Sequence, residues 1–271
     1  MRKHLLIIFL FIQVSFSCNK RPSAGFTGYD IFLIGGQSNA FYGKQSGRIE
    51  NSFDLRILQL GRHNTYNYRL LLAIDPLHHH QIVDSAIGFA WTFASLYADE
   101  YLEKSRKVLL IPCASSASGF LNNQWNRGNP LFTDAIDRVN YCLKTYPGSR
   151  IKGILWHQGE SDVSFGDAYR RALDAMVINL RTAIDADDNQ TIPFVAGGLV
   201  PYLTERNPSF RIIDSIIRDL PLRVQKTAFA DPLKPSVIRK PDDTVDAIHF
   251  NADGQREMGL RYFNSYKTLI P

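Results

Sequence analysis

A three-layer α/β/α domain with a mostly parallel central sheet is the fold class that three features of the sequence predict. Short runs at residues 29–34, 107–112 and 151–156 are almost continuously apolar, as strands covered on both faces are. Stretches with apolar residues at helical spacing separate these runs, and such alternation places helices on both sides of a parallel sheet. The 271 residues are 45% hydrophobic and 12% aromatic, with no low-complexity tract and no internal repeat, which suits one large core.

In chain order, residues 19–28 are polar with Pro and Gly and read as a tether, followed by a single domain over 29–271. Residues 29–34 form the first strand and stop at Gly35 and Gly36. Residues 57–60 are a weaker strand and 64–67 a loop. Over residues 87–103, Phe89, Phe93, Leu96 and Tyr97 share one helical face. Residues 107–112 make the next strand, and 131–145 an amphipathic helix that stops before Tyr146, Pro147 and Gly148. Residues 151–156 form a strand that runs straight into His157, Gln158, Gly159 and Glu160. A long helix over 167–184, a strand over 192–199, a helix over 209–220 and a short strand over 227–230 follow. The final helix spans 251–263, with Asn251 as its N-cap and Asp253 in its first turn. Ligands of such sheets bind beyond the carboxyl ends of the strands. Ser38, residues 114–119 and Gln158 each follow a strand, so the order of elements gathers them at one edge.

Residues 1–17 are excluded from the fold. Arg2, Lys3 and His4 form a basic start, residues 5–14 an apolar run, and Ser15, Phe16 and Ser17 precede Cys18. This pattern is that of a secretory signal peptide too short to span a membrane well. It resembles a bacterial lipoprotein signal, in which Cys18 becomes the lipidated first residue. The expectation is an exported protein that meets the membrane only through a lipid anchor, in the periplasm or at the cell surface, with plain secretion as the alternative. Removing Arg2 and Lys3 and no acid lowers the formal charge from +5 to +3. Charges of both signs are scattered, which gives no reason to expect nucleic acid as a partner. Cys113 and Cys142 read as buried small hydrophobes rather than a disulfide. No Cys/His zinc spacing occurs, and the adjacent His78, His79 and His80 cannot converge on one metal from a regular element. They read as an exposed loop, and no metal or organic cofactor is expected.

The chemistry concentrates in three places. Ser38 sits on a glycine-preceded turn directly after an apolar strand. A serine hydroxyl is a poor nucleophile without an adjacent base, and glycines permit the sharp turn that presents it. Taken alone, the same residues read better as a turn that caps a helix. Asp246 and His249 lie three residues apart just before the last helix, close enough to share a loop. In that arrangement His249 is the base, and Asp246 accepts its Nδ1–H and fixes the tautomer. Gln158 offers an amide to an oxyanion beside the Ser38 N–H, a donor worth about 3 kcal/mol of barrier. The plainer reading of Gln158 is a buried amide that satisfies loop backbone. Glu160 and Asp162 fit paired glycosidase carboxylates, but that assignment leaves Ser38, Asp246 and His249 unused. Glu160 reads better as a brace for its loop.

These residues fall in three blocks: Gly36-Gln37-Ser38-Asn39, Trp156-His157-Gln158-Gly159-Glu160-Ser161-Asp162, and Asp246-Ala247-Ile248-His249. Together they resemble the SGNH hydrolase superfamily, in particular its branch of sialate O-acetylesterase-like and family 6 carbohydrate esterase (acetylxylan esterase) domains. Residues 73–78 and Trp125 also resemble features of that branch, and the similarity runs from about Tyr29 to Phe263. The resemblance implies a flavodoxin-like three-layer fold, a catalytic Ser38–His249–Asp246 triad and an acetyl-enzyme. It also implies an oxyanion hole made by the Ser38 and Ser116 N–H groups with Gln158, an acetylated carbohydrate as substrate, and no cofactor. The chain departs from the family at residues 114–120, Ala-Ser-Ser-Ala-Ser-Gly-Phe, where a Gly-Gly-Thr-like stretch is usual. Ser116 stands at the oxyanion glycine, and its side chain alters the space and backbone angles available there. Trp125, Tyr42, His63 and Trp91 are candidates for a sugar site, although Trp91 lies on a helical face that suits core packing. Two other readings compete. One is a lipase or thioesterase acting on non-sugar acyl esters. The other is a catalytically silent carbohydrate-binding lipoprotein, which the Ser116 departure favours and the intact Ser38, Asp246, His249 and Gln158 oppose.

Overall fold

The apolar run at residues 29–34 becomes the middle of the sheet. The computed structural model describes residues 25–44, 53–239 and 246–271. The signal peptide at 1–17, the lipidation residue Cys18 and most of the tether at 19–28 lie outside the described residues. In chain order the strands are β1 (Gly28–Gly36), β2 (Gly43–Lys44), β3 (Ile57–Leu60), β4 (Leu70–Leu72), β5 (Ala86–Ile87), β6 (Arg106–Pro112), β7 (Arg150–His157), β8 (Phe194–Gly197) and β9 (Thr227–Ala230). The α-helices are α1 (Ala90–Glu100), α2 (Pro130–Thr145), α3 (Ala168–Ala183), α4 (Pro201–Arg206), α5 (Pro208–Arg218) and α6 (Ala252–Lys267). Among the described residues, no helix is long and apolar enough to cross a membrane.

Seven strands form one sheet in the order β4-β3-β6-β1-β7-β8-β9. All neighbours are parallel except β3 and β4. The period of two along each strand sorts side chains into two layers. On one face Ile31 and Leu33 of β1, Leu109 and Ile111 of β6, and Ile154 and Trp156 of β7 pack against residues of α2, α3 and α5. On the other face Phe32, Ile34, Val108, Leu110 and Leu155 pack against α1 and α6. Each fully buried Leu, Ile or Phe contributes about 1.5–3 kcal/mol of transfer free energy, so the central strands are the best anchored part of the sheet.

Several elements differ from the sequence expectation. Helix α1 starts at Ala90 rather than at residue 87, because Ala86 and Ile87 pair with Lys44 and Gly43 as a small separate ladder. Helix α6 continues to Lys267, which carries Tyr266 into the aromatic cluster with Phe32, Phe93 and Tyr97. Its start is as expected: the Asn251 side chain accepts the Gly254 N–H at 2.8 Å. Cys113 and Cys142 are free and buried. The reading of residues 78–80 as an exposed loop fails at His79, which is fully buried. Its Nδ1 accepts the Ala114 N–H at 3.1 Å and its ring stacks on Phe41, centroids 4.8 Å apart. Burial holds this imidazole well below its ordinary pKa, and hence neutral.

The chain builds β3 and β6 on one side of β1 and then crosses to β7 on the other. The carboxyl end of β1 is therefore a switch point, where a crevice opens. Gly36 ends the strand with φ +116°, and a Cβ there would lie 2.0 Å from the His157 carbonyl oxygen. Only glycine allows β1 to close against β7 while the chain turns out toward Ser38. Gly36→Ala is expected to cost more than about 2 kcal/mol of stability, from backbone strain and the clash together. Gly128→Ala is the comparison, since Gly128 has φ +82° with nothing within 4 Å of the added carbon. Thermal unfolding should show a clearly larger loss for Gly36→Ala; equal losses would contradict the close-approach argument.

Candidate active site

Ser38 opens a single 3₁₀ turn, Ser38–Ala40, immediately after β1. Gln37 ties this turn to the exit of β7. Its N–H reaches the His157 oxygen at 2.8 Å, and its Oε1 accepts the N–H groups of Gly159 and Ser161 at 3.4 and 3.2 Å. Ser38 is 6% exposed. Its Oγ lies 2.9 Å from His249 Nε2. On the far side of the ring, His249 Nδ1 lies 2.9 and 3.1 Å from Asp246 Oδ2 and Oδ1. An ionised carboxylate can only accept, which assigns the proton to Nδ1 and leaves the Nε2 lone pair for the serine hydroxyl. Asp246 Oδ1 also accepts the N–H groups of Ile248 and His249 at 3.0 and 3.1 Å, which fixes the carboxylate under the ring. Burial raises the Asp246 carboxyl, but the bonds from the His249 ring and backbone and the attraction of the imidazole outweigh it. The group titrates below its ordinary value and stays ionised. The Tyr42 ring lies against the imidazole, centroids 4.4 Å apart, and covers one of its faces.

Asn39 is a residue of the candidate site that spacing alone does not reveal. It is fully buried, and its amide joins three distant segments. Nδ2 donates to Glu160 Oε1 and to the Ile248 oxygen, the latter at 2.9 Å. Oδ1 accepts the Phe250 N–H at 3.0 Å. The backbone oxygen of Asn39 takes a bond from Gln255 Nε2 at 2.9 Å. Ile248 and Phe250 flank His249, so the residue beside the serine sets the position of the imidazole that faces it. The signal available in the sequence was its place next to Ser38; its partners are visible only in three dimensions.

The structure places two residues of the implied oxyanion hole differently. Gln158 is fully buried, with Nε2 donating to Asp162 Oδ2 at 2.8 Å and to the Ser118 oxygen at 3.3 Å. Both amide hydrogens are engaged, so Gln158 braces a loop and has no donor left for an oxyanion. Asp162 continues this brace by accepting the N–H groups of Phe120 and Leu121 at 2.8 and 2.9 Å. The Ser116 N–H donates to Gln81 Oε1 at 2.9 Å. The Ser38 N–H has no acceptor among the described residues. Of the sugar-site candidates, Trp125 is core: it is fully buried, its Nε1–H reaches Ser118 Oγ at 2.9 Å, and its ring meets Trp156 edge-on at 4.9 Å. Trp91 is half-buried and donates to the Ala73 oxygen at 3.1 Å. His63 is half-buried and donates to the His79 oxygen at 2.8 Å. Tyr42 is the one of the four in contact with the triad.

Glu160 braces its loop as expected, through Asn39. Burial pushes its carboxyl up to about 7 despite that hydrogen bond. Burial also pushes His157 down to about 3; its Nδ1 lies 3.1 Å from the Tyr262 hydroxyl, which itself donates to the Trp156 oxygen at 2.6 Å. The Glu160 shift has a consequence for stability. In the unfolded chain a glutamate titrates at about 4.3, so the folded state binds this proton more tightly. The resulting stabilisation is complete below the unfolded value and is lost as the pH rises through the folded one. Glu160→Gln keeps an acceptor for Asn39 and removes the titration. Relative to wild type, its stability should rise by on the order of 2–3 kcal/mol between about pH 5 and about pH 8. Thermal unfolding at both pH values checks this; a difference that does not change with pH would contradict the burial of an ionisable Glu160.

Comparison with known proteins gives a family and a fold. A family model described as carbohydrate esterase, sialic acid-specific acetylesterase, matches residues 28–268. A probable carbohydrate esterase of Arabidopsis thaliana is 25% identical over 186 residues, 66% of this chain. The match spans 63% of that curated relative's length. Among solved structures, NanS superposes with a TM-score of 0.75 at 16% identity, covering 90% of this chain and 98% of its own. An Arabidopsis thaliana protein superposes at 0.70 and 21% identity, covering 89% and 98%. A carbohydrate acetylesterase from Xanthomonas citri superposes at 0.60 and 14%, covering 89% of this chain and 56% of its own. The likeness in structure carries the fold, an α/β domain with a mostly parallel central sheet. By the extent of the family match, the chain belongs to the sialic acid-specific acetylesterase family of carbohydrate esterases, which are carboxylic ester hydrolases.

Proposed function

We propose that the chain is a serine esterase that removes O-acetyl groups from carbohydrate through an acetyl-enzyme on Ser38. The observation that carries this reading is the unbroken line of hydrogen bonds from Asp246 through His249 to Ser38 Oγ at the carboxyl end of β1. Oγ attacks the acetyl carbonyl carbon while His249 Nε2 takes the hydroxyl proton. Asp246, held ionised, stabilises the imidazolium that forms. The Ser38 N–H, free of other acceptors among the described residues, meets the oxyanion. The sugar oxygen leaves with the proton from His249. Water then attacks the acetyl ester on Ser38 with His249 again as base, acetate departs, and the hydroxyl regains its proton. Gln158 acts in this scheme by holding the Ser118 backbone oxygen and the Asp162 carboxylate beside the site rather than by touching the oxyanion.

The carbohydrate assignment draws on the family, since the triad alone serves any ester. The remaining parts of the proposal concern location. The apolar run at 5–14 followed by Cys18 supports export and a lipid anchor, with residues 19–28 as the tether.

Kinetics on p-nitrophenyl acetate and octanoate test the reading. Ser38→Ala should lower kcat on the acetyl ester by about 10⁴-fold or more, and Asp246→Asn by roughly 10²–10⁴-fold, because the wrong imidazole tautomer faces the serine. The acetyl ester should be the better substrate, and acetate should be released from acetylated xylan or sialoglycans. Wild-type rates in Ser38→Ala would overturn the nucleophile assignment. A marked preference for octanoate would replace the acetylesterase reading with a lipase.

A further inference from the structure

Two loops meet beside the nucleophile turn. The His80 N–H donates to the Ala114 oxygen at 3.0 Å, and the Ala114 N–H donates to His79 Nδ1 at 3.1 Å. One step further along, Gln81 Nε2 donates to Ser115 Oγ at 3.2 Å, and Gln81 Oε1 accepts the Ser116 N–H at 2.9 Å. The second loop is itself fastened to the turn. The Ser115 N–H and Ser118 Oγ both bond the Gly36 oxygen, at 3.0 and 3.1 Å, two residues before Ser38. Ser116 and Ala117 lie between these two anchors, beside the turn that presents the nucleophile, with Ala117 in the left-handed region at φ +53°. Gln81 differs from the other amides around the site. Asn39 and Gln158 are fully buried, and Gln37 nearly so, whereas Gln81 is exposed and holds on only by Ser115 and Ser116. What it places on the Ser116 N–H is a carbonyl oxygen, the same kind of acceptor that an acyl group would bring.

We propose that Gln81 is a place-holder in the acyl-oxygen pocket: its carboxamide oxygen occupies the Ser116 N–H in the free protein, and the carbonyl oxygen of the ester displaces it. Ser116 then joins the Ser38 N–H in holding the oxyanion, and Gln81 swings toward solvent. The inference rests on Ser38 as the nucleophile. A neutral hydrogen bond from an exposed amide has a small net value in water, and a bond to a developing oxyanion is roughly twice as strong. The exchange therefore favours the substrate, and most of all its transition state. Gln81 acts on binding and selectivity, as a positioning residue that keeps the N–H aimed while the pocket is empty.

The test compares Gln81→Ala and Gln81→Glu with wild type on p-nitrophenyl acetate, together with inhibition by methylboronic acid, whose adduct on a serine carries an oxyanion-like oxygen. Removing the place-holder should raise kcat/KM roughly two- to tenfold, chiefly through KM, the range one net neutral hydrogen bond allows. The inhibition constant of the boronic acid should fall by a similar factor. A glutamate keeps the contact, strengthens it by its charge and repels the oxyanion, so Gln81→Glu should lower kcat/KM at least about tenfold and weaken the inhibitor. A residue that only supports the loop would shift both variants in the same direction. A fall in kcat/KM for Gln81→Ala, or no change in either variant while thermal unfolding shows both folded, would overturn the place-holder. Failure of the esterase reading looks different, because wild type itself would then show no turnover dependent on Ser38.

Discussion

The amide of Asn39 is the constraint on which the rest of the site depends. Its two hydrogens and its oxygen reach Glu160, Ile248 and Phe250, and its backbone oxygen holds Gln255 at the start of α6. Those partners lie 121 to 216 residues away in sequence. The entropy of closing such long loops grows only logarithmically, so separation is not the obstacle. The difficulty is to dry the junction, since each buried donor or acceptor left unmatched costs about 1–3 kcal/mol. Asn39 meets that demand with one side chain and in doing so ties the Ser38 turn to the His249 loop. His249 is carried on a loop, and a displacement of about 1 Å in a catalytic group can cost on the order of 100-fold in rate. Anchoring the residues on both sides of His249 to the neighbour of Ser38 ties the imidazole to the hydroxyl it faces.

The fold supplies the place where this junction can form. β1 sits between β6 and β7 at the switch in strand order, and Gly36 lets its end lie against the His157 carbonyl. From there the chain turns out with Ser38, while β6 sends up the loop of Ser115–Ser118 and β7 the loop of Gln158–Asp162. Burial then sorts the acids. Asp246 lies at the rim under an imidazole, whose hydrogen bond helps hold its carboxyl low. Glu160 lies in the interior, is raised to about 7, and serves Asn39. Two carboxyls near one serine thus take different roles because their surroundings differ.

Much of this was legible in the sequence, for identifiable reasons. Residues 29–34, 107–112 and 151–156 read as strands because burial on both faces leaves no polar position in the middle of a run. Ser38, Asp246 and His249 stood out because their chemistry is specific and their neighbours are turn residues. The short elements β2, β4, β5 and α4 were hidden, since two to six residues are too few to display a period. Trp125 and His79 misled for a different reason: each is an amphipathic ring with a polar atom, Nε1 of Trp125 and Nδ1 of His79, that finds a partner inside, at Ser118 and Ala114. For Gln158 and Ser116 the motif indicated the neighbourhood, but what each donates to is decided by Asp162 and Gln81, which a linear reading cannot bring beside them.

The covalent intermediate gives the most direct test of the central claim, that His249 activates Ser38 as the nucleophile. Wild type and His249→Ala are each mixed with p-nitrophenyl acetate, quenched in acid during the first turnover, digested and mapped by mass spectrometry. The expected result is one added acetyl group on the Ser38-containing peptide of wild type and none in His249→Ala. Acetylation at another residue, or undiminished labelling of Ser38 without His249, would contradict the claim.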